Sequence, residues 1–355
     1  MRLGDIVKIK TGKLNANATS PDGKYPFFTC AREISRISTY SYDCECVLVA
    51  GNGDLNVKYY KGKFDAYQRT YIIEDNSNGK LLMPYLYFFL DKYVETLREK
   101  SIGGVIKYIK LENLTEANIP LPSIDKQQDI VNCLSIVNNI KSKCNQELSK
   151  LDELVKSRFV EMFGDLPLYS NMQEVCKIIT DGTHQPPKFV STGIPFIFVS
   201  NIVNDCLTYN AEKFISEDTY NDLVKRTPIE IGDLLLSTVG SYGHPAIVES
   251  ERKFLFQRHI AYLKPDHSKI NSRYLHAMIL SDAVQRQIES KVKGIAQKTL
   301  NLSEIKSLRI PLPKMELQNQ FADFVQLADK SKLVAKALLA KCELLREKLM
   351  QDYFC

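Results

Sequence analysis

The 355-residue chain repeats itself at a distance of about half its length. The segment Ile119-Pro120-Leu121-Pro122 recurs 191 positions later as Ile310-Pro311-Leu312-Pro313. Further pairs match at the same offset: Gly103 and Gly294, Lys107 and Lys298, Leu111 and Leu302, Leu114 and Ile305, Gln127 and Gln318, Phe163 and Phe354. A period this long does not suit a solenoid, whose repeats are far shorter. The sequence therefore predicts two homologous halves.

Upstream of these matches the correspondence continues with small gaps, as diverged copies should show. Tyr85-Leu86 aligns with Tyr274-Leu275, and Gln68-Arg69 aligns with Gln257-Arg258, both 189 positions apart. The match is weaker here than after position 103. Each half is thus predicted to contain a variable globular part followed by a better-matched tail.

The two tails have the pattern of long helices. Between Ser123 and Gly164 there is no proline and no internal glycine, and apolar residues recur at intervals of three and four. The second tail has the same register, and such spacing is a heptad seam. A helix of this length measures roughly 60 Å and cannot bury its own apolar stripe. We expect the two helices to pack together as an antiparallel coiled coil; the alternative is two unrelated core helices.

Within the globular parts, short β-rich runs are bounded by turn residues, and one helix is predicted in each, over 84–100 and 272–289. The predicted fold class is α/β (α+β), with an irregular, largely antiparallel sheet in each half. The predicted domains are a first globular domain over 1–122, a central helix over 123–164, a second globular domain over 165–313 and a C-terminal helix over 314–355.

The amino-acid composition excludes few functions, but it is that of an ordinary globular protein. Hydrophobic residues make up 44% of the chain and charged residues 25%, which suits globular cores, and the net charge of +5 permits a polyanionic partner without demonstrating one. No apolar run approaches the roughly 20 residues that a membrane span needs, and the first residues lack the apolar run of a secretory signal. We therefore expect a cytoplasmic protein whose nine cysteines are reduced.

No catalytic motif stands out. The chain has no Gly-x4-Gly-Lys-Ser/Thr loop for a nucleotide and no Asn/Asp-Pro-Pro-aromatic site of an adenine methyltransferase. Asp233 with Glu251-Arg252-Lys253 loosely fits a metal-dependent nuclease, which needs carboxylates and a lysine, although a charged surface strand is the simpler interpretation. We expect no catalytic residue, metal or cofactor in this chain, and interpret it as a binding protein.

Two duplicated domains held by long helices suit an extended polymer, and duplex DNA is the first candidate. Reading bases requires forked donors such as Arg, Gln or Asn on loops, whereas lysines and glycine-rich turns suit phosphates. The matched Gln-Arg pairs could equally serve the scaffold, because residues that read two different sequences should differ between the copies. Loops that differ between the copies are therefore the better candidates for base contacts. The candidate DNA-binding residues are Lys13, Asn15, Lys58, Lys61, Gln68, Arg69, Lys107, Thr183, His184, Gln185, Ser241, Gln257, Arg258 and Lys298.

Each half of the chain has the order variable domain, Ile-Pro-Leu-Pro and long helix. This twofold order resembles the specificity subunits of type I restriction-modification systems. The second copy is especially similar, in its opening from Glu174 to His184 and in the ending Gly294-Ile295-Ala296-Gln297-Lys298. The first ending, Gly103-Gly104-Val105-Ile106-Lys107, lacks the glutamine of that pattern.

This resemblance implies a noncatalytic DNA-binding subunit that reads a bipartite, asymmetric site, with the helices as a spacer. It implies two methyltransferase subunits, which bind S-adenosylmethionine and methylate an adenine in each half-site, and restriction subunits that use ATP and Mg²⁺. Two other functions stay open at this point, a divalent-metal-dependent DNA nuclease and a coiled-coil adaptor that binds proteins.

Overall fold

In the computed structural model, residues 1–167, 170–294 and 298–354 are described. The chain forms two compact units, of which the first combines two segments that are distant in sequence. Unit 1 consists of Met1–Gln146 with Lys336–Cys355, and unit 2 is Glu147–Ala335. Both unit boundaries fall inside the long helices rather than at their ends, so each helix contributes residues to both units.

The strands of unit 1 are β1 (Val7–Thr11), β2 (Tyr25–Phe28), β3 (Ser35–Ile37), β4 (Tyr42–Ala50), β5 (Val57–Ala66) and β6 (Thr70–Asp75). Those of unit 2 are β7 (Ser170–Asn171), β8 (Cys176–Asp181), β9 (Ile194–Ile197), β10 (Ile202–Val203), β11 (Cys206–Leu207), β12 (Lys213–Ile215), β13 (Leu234–Ser237), β14 (Pro245–Ile247), β15 (Leu255–Phe256), β16 (Ile260–Pro265) and β17 (Arg309–Ile310). The helices are α1 (Met83–Lys100), α2 (Leu111–Thr115), α3 (Ile124–Phe163), α4 (Met172–Val175), α5 (Glu217–Leu223), α6 (Ser272–Ile279), α7 (Asp282–Lys291), α8 (Leu302–Lys306) and α9 (Met315–Phe354).

Both units have the predicted mixed, largely antiparallel sheets. Unit 1 has one six-stranded sheet in the order β1-β6-β4-β5-β2-β3, in which only β2 and β5 run parallel. Unit 2 divides the equivalent strands between a four-stranded sheet, β14-β13-β16-β8, and a three-stranded sheet, β12-β9-β15, in which β9 and β15 are parallel. The α/β class is thus confirmed, and the same order of strand pairing underlies both copies.

One predicted helix is wrong in detail. The sequence predicted a single helix over 272–289, but the structure has α6 and α7 with a break at Ser281. Ser281 has extended backbone angles, and its hydroxyl donates to the carbonyl of Met278 at 2.7 Å, which ends α6 before α7 begins. The apolar pattern continues across the break, so periodicity alone could not reveal it.

The core of each unit includes residues of both long helices. In unit 1, Ile130 and Leu134 of α3 and Met350 of α9 are buried beside α1. In unit 2, Phe159 and Phe163 of α3 and Phe321 of α9 are buried beside α6. The apolar stripe of each helix is therefore covered partly by one unit and partly by the other, as a long amphipathic helix requires.

Within each unit the two helices run antiparallel, as the heptads predicted. In unit 1, Arg346 Nε donates to Asn138 Oδ1 at 3.1 Å, and its Nη2 also bonds Asp91 of α1. One helical turn further along α3, Lys141 pairs with Glu343 at 3.4 Å. In unit 2, Lys332 pairs with Asp152 at 2.7 Å. Later residues of α3 thus meet earlier residues of α9.

A buried glutamine joins each globular part to the helix that follows it. Gln127 Nε2 donates to the carbonyls of Lys80 (2.8 Å) and Pro122 (2.9 Å), and its Oε1 accepts from the amide of Leu82 (2.9 Å). Gln318 makes the equivalent bonds to Lys269 O (3.1 Å), Pro313 O (2.9 Å) and Asn271 N (2.9 Å). Both side chains are fully buried, which explains why this glutamine is matched in the two copies.

A tyrosine completes each of these joints. The hydroxyl of Tyr85 donates to Pro120 O at 2.8 Å, and that of Tyr274 donates to Pro311 O at 2.9 Å. Burial raises the pKa of Tyr85 to about 12, so the hydroxyl keeps its proton for this bond. The ring of Tyr85 contacts Phe354 at 5.2 Å, as Tyr274 contacts Phe163 at 4.9 Å. The last aromatic residue of each long helix therefore packs in the unit opposite to the one in which its helix begins.

Replacing either buried glutamine by alanine should lower the free energy of unfolding by about 3 kcal/mol, because buried main-chain groups would lose their partners. Equilibrium urea unfolding of Gln127→Ala and Gln318→Ala measures this. The matched controls are Gln128→Ala and Gln320→Ala on the exposed side of the same helices, which should change it by less than about 0.5 kcal/mol. Equal effects for buried and exposed glutamines would contradict the joint.

Candidate nucleic-acid interface

Three loops of unit 1 meet at the turn between β5 and β6. The amide of Gln68 donates to Leu14 O at 2.9 Å, and the amide of Gly51 donates to Arg69 O at 2.8 Å. Gly12 also donates from its amide to Thr70 O at 3.0 Å. The side chains of the predicted residues Lys13, Asn15, Gln68 and Arg69 are exposed on this loop cluster. Main-chain bonds therefore fix the loops while the side chains stay free to contact a ligand.

Unit 2 has the same main-chain framework. Arg258 N donates to Thr183 O at 3.1 Å, Thr238 N donates to His259 O at 3.0 Å, and Gly182 N donates to Ile260 O at 3.2 Å. These bonds place Arg258 where unit 1 has Gln68, and His259 where it has Arg69. Two equivalent frameworks thus present different side chains.

This correspondence corrects the alignment of the Gln-Arg pairs. The sequence placed Gln68-Arg69 opposite Gln257-Arg258, but the structural equivalent of Gln257 is Tyr67. Tyr67 bridges Leu14, and Gln257 bridges Thr183, in the same parallel arrangement. The spacing differs by one residue between the copies, so the two Gln-Arg dipeptides match in sequence without being structurally equivalent. Gln257 is half-buried, whereas Arg258 is exposed.

The matched lysines are structurally equivalent. Ile102 and Tyr108 exchange main-chain bonds of 3.0 and 2.8 Å, as do Lys293 and Thr299. The carbonyl of Lys107 accepts from Gly53 N at 2.9 Å, and that of Lys298 accepts from Gly240 N at 3.3 Å. Both glycines have left-handed backbone angles, with φ of +69° and +74°, which favour glycine.

Both matched lysine side chains are exposed beside the loop cluster of their unit. The ammonium group of Lys298 also lies 6.0 Å from the ring centre of Tyr242. Ile295, Ala296 and Gln297, which carry part of the family resemblance, lie outside the described residues.

Two of the predicted lysines lie on β5, and both already have partners within unit 1. Lys58 Nζ donates to Ala31 O at 2.7 Å and also bonds Asn56 Oδ1. Burial lowers the pKa of this amine. Lys61 pairs with Glu45 at 2.9 Å. These bonds stabilise the loop after β2 and the β4–β5 pair, which is a structural use for both side chains.

The predicted loop Thr183-His184-Gln185 lines an open cleft of about 590 Å³ in unit 2. Arg226, which the sequence analysis did not single out, also lines it. Its Nη2 donates to Asp181 Oδ1 at 2.6 Å, while Asp181 Oδ2 lies 2.9 Å from His184 Nε2. Arg226 is 45 residues from Asp181 in the chain, and no local pattern connects the two positions.

A second cleft of unit 2, of about 580 Å³, lies beside the exposed Arg258. Thr238, His259 and Ser303 line it as well. Burial, with a smaller effect of the Arg258 charge, lowers the pKa of His259. The predicted residue Ser241 is exposed on the loop that follows Gly240.

Asp233 and Lys253 of the nuclease hypothesis have separate partners. Asp233 is buried, where its Oδ2 accepts from Tyr262 OH at 2.7 Å and from Glu230 N at 2.8 Å. Burial raises the pKa of Asp233. Lys253 instead pairs with Glu217 on the surface. Asp233 thus has a structural use inside the core, whereas the charged-surface interpretation had placed it on the surface.

In 1–167, 170–294 and 298–354, no group of three or more His, Cys, Asp or Glu residues could hold a metal ion. No helix in that part of the chain is long and apolar enough to cross a membrane.

Comparison with known proteins identifies relatives. A family model described as the type I restriction modification DNA specificity domain matches residues 1–151 and 169–343. The chain is 37% identical over 156 residues to the specificity subunit of the type I restriction enzyme EcoDI of Escherichia coli, covering 44% of this chain but 34% of that protein. It is 20% identical to the MjaVIII specificity subunit of Methanocaldococcus jannaschii, covering 99% and 90% of the two chains.

A solved structure has the same fold. The S subunit of the type I restriction-modification system from M. genitalium aligns with a TM-score of 0.69 at 16% identity, covering 100% of this chain and 95% of that one.

The partners of Lys58 predict a contrast with Lys107. Lys58→Met should lower the free energy of unfolding by about 1–2 kcal/mol, because the Ala31 carbonyl and the Asn56 amide oxygen lose a charged donor. Lys107→Met, at an exposed lysine, should leave it unchanged within about 0.5 kcal/mol. Urea unfolding of the two variants distinguishes them, and an unaffected Lys58→Met protein would show that its bonds are dispensable.

Proposed function

The chain belongs to the family of type I restriction-modification DNA specificity domains, and we propose that it reads a bipartite, asymmetric DNA site for a type I complex. The observation that carries this proposal is the pair of equivalent loop clusters, one in each unit, with different exposed side chains. A shared framework suits the same kind of ligand, and different side chains suit different base sequences.

The equivalent positions differ in ways that matter for base recognition. Gln68 corresponds to Arg258, and Arg69 corresponds to His259. Gln pairs well with adenine, and Arg pairs well with guanine. Unit 1 would therefore read one half-site and unit 2 another, with unlike sequences. Lys107 and Lys298, exposed at the same place in each framework, would contact phosphates and set the register without reading sequence.

The chemistry would be supplied by partner subunits. Two methyltransferase subunits would hold S-adenosylmethionine and methylate one adenine in each half-site, and restriction subunits would use ATP and Mg²⁺ to act on unmodified DNA. Methylation requires the adenine to leave the stack, which costs a few kcal/mol. In this proposal the chain contributes DNA-binding energy that offsets the cost and contains no catalytic group or cofactor of its own.

Mapping methylated adenines genome-wide tests the proposal. The chain is coexpressed with the methyltransferase subunit encoded beside it, in a host that lacks other type I systems. A two-part motif with unlike halves is expected, and it should disappear when the chain is omitted. Methylation that continues without the chain, or a single undivided motif, would contradict the proposal.

We further propose that α3 and α9 set the number of unread base pairs between the half-sites. Deleting one heptad from each helix, chosen so that the remaining seam stays in register, shortens each by about 10.5 Å and should shorten the spacer by about 3 base pairs. The same methylation map reads the spacer directly. Both half-site sequences should stay unchanged, and altered half-sites with the original spacer would refute this role.

A further inference from the structure

We propose that Arg226, oriented by Asp181, reads a guanine in the half-site of unit 2. This inference rests on the proposed function, and it names one residue and one base within it. The residue was invisible to sequence analysis, because the contact that orients it joins β8 to the short 3-10 turn at Val224–Arg226.

The guanidinium is held from one side only. Nη2 of Arg226 donates to Asp181 Oδ1 at 2.6 Å, with Thr180 Oγ1 and His184 Nε2 each 3.4 Å away. No hydrogen bond or ion pair from its Nε or Nη1 is found within the described ranges of the chain. Nε and the two hydrogens of Nη1 therefore remain as donors for a ligand. Guanine presents two acceptors, N7 and O6, to such donors in the major groove.

The support for this arginine is itself fixed. The Asp181 side chain is only 16% exposed, and its second oxygen lies 2.9 Å from His184 Nε2. By contrast, the side chain of Arg226 is 53% exposed and lines the open cleft. An anchored carboxylate beneath an accessible guanidinium removes much of the freedom that an arginine otherwise loses on binding.

The local charge favours a base over a phosphate. Asp181 neutralises much of the charge of Arg226, and its own negative charge would repel a phosphodiester at close range. A guanine edge carries no net charge and benefits from the fixed direction of the donors. Lys188, which also lines the cleft, remains available for the backbone.

The arrangement belongs to one copy only. The last residue of β8, Asp181, precedes Gly182, and the equivalent position before Gly12 in unit 1 is Thr11, which has no carboxylate. Features that build the shared scaffold, such as the buried glutamines, occur in both copies. A feature confined to one unit is what a reader of one half-site requires.

The test uses the coexpressed complex and the methylation map of the wild-type protein as reference. Arg226→Ala should relax one position of the half-site of unit 2 from guanine to any base, with a loss of about 10- to 100-fold in the preference measured from methylation rates. All other positions, including the whole other half-site, should stay unchanged. Asp181→Asn should weaken the preference at the same position, because Arg226 loses its charged support.

Lys225→Ala, in the same turn, is the matched control and should leave the motif intact. A uniform fall in methylation at all sites in Arg226→Ala, with the motif unchanged, would show a phosphate contact and overturn the inference. Loss of copurification with the methyltransferase in Arg226→Lys would assign the residue to assembly, and would overturn it too. Absence of any two-part motif for the wild-type chain would instead refute the proposed function, so the two failures are distinguishable.

Discussion

The whole structure depends on one fully buried glutamine at the start of each long helix. Gln127 and Gln318 each satisfy two carbonyls and one amide of the main chain, which fixes the position of the helix against the globular part before it. An unsatisfied buried polar group costs more than a typical hydrogen bond contributes, so this geometry tolerates little change. Everything that a loop cluster can do with a ligand requires that the cluster be held at a defined place on its helix.

A second constraint follows from the length of the helices. Neither apolar stripe can be covered by one unit, and the aromatic residues at the helix ends therefore pack against Tyr85 in unit 1 and Tyr274 in unit 2. Each globular part is thus stabilised by the beginning of its own helix and by the end of the other. The same pairs of matched residues explain the duplication in the sequence, because they form equivalent joints rather than equivalent binding sites.

Much of this architecture could be predicted from the sequence. The 191-residue offset identified two copies, and the heptad spacing identified two long antiparallel helices, because apolar residues recur in the same register in both tails. The division of α6 from α7 could not be predicted, because a serine hydroxyl interrupts a helix without interrupting its apolar face. The candidate site was only partly visible. The identical Gln-Arg dipeptides led to an alignment of Gln257 that is wrong by one residue. The Asp181–Arg226 pair forms only in the tertiary structure.

The glutamine joint also bears on how such a protein can evolve. Four of the groups that meet in unit 1 are the Lys80, Pro120 and Pro122 carbonyls and the Leu82 amide, all of them main-chain atoms that exist whatever the neighbouring side chains are. A globular part exchanged by genetic recombination near the codons for Pro122 or Pro313 would bring compatible groups with it, provided that it keeps the tyrosine. New combinations of globular parts can then arise by crossover, without any change in the long helices that follow them.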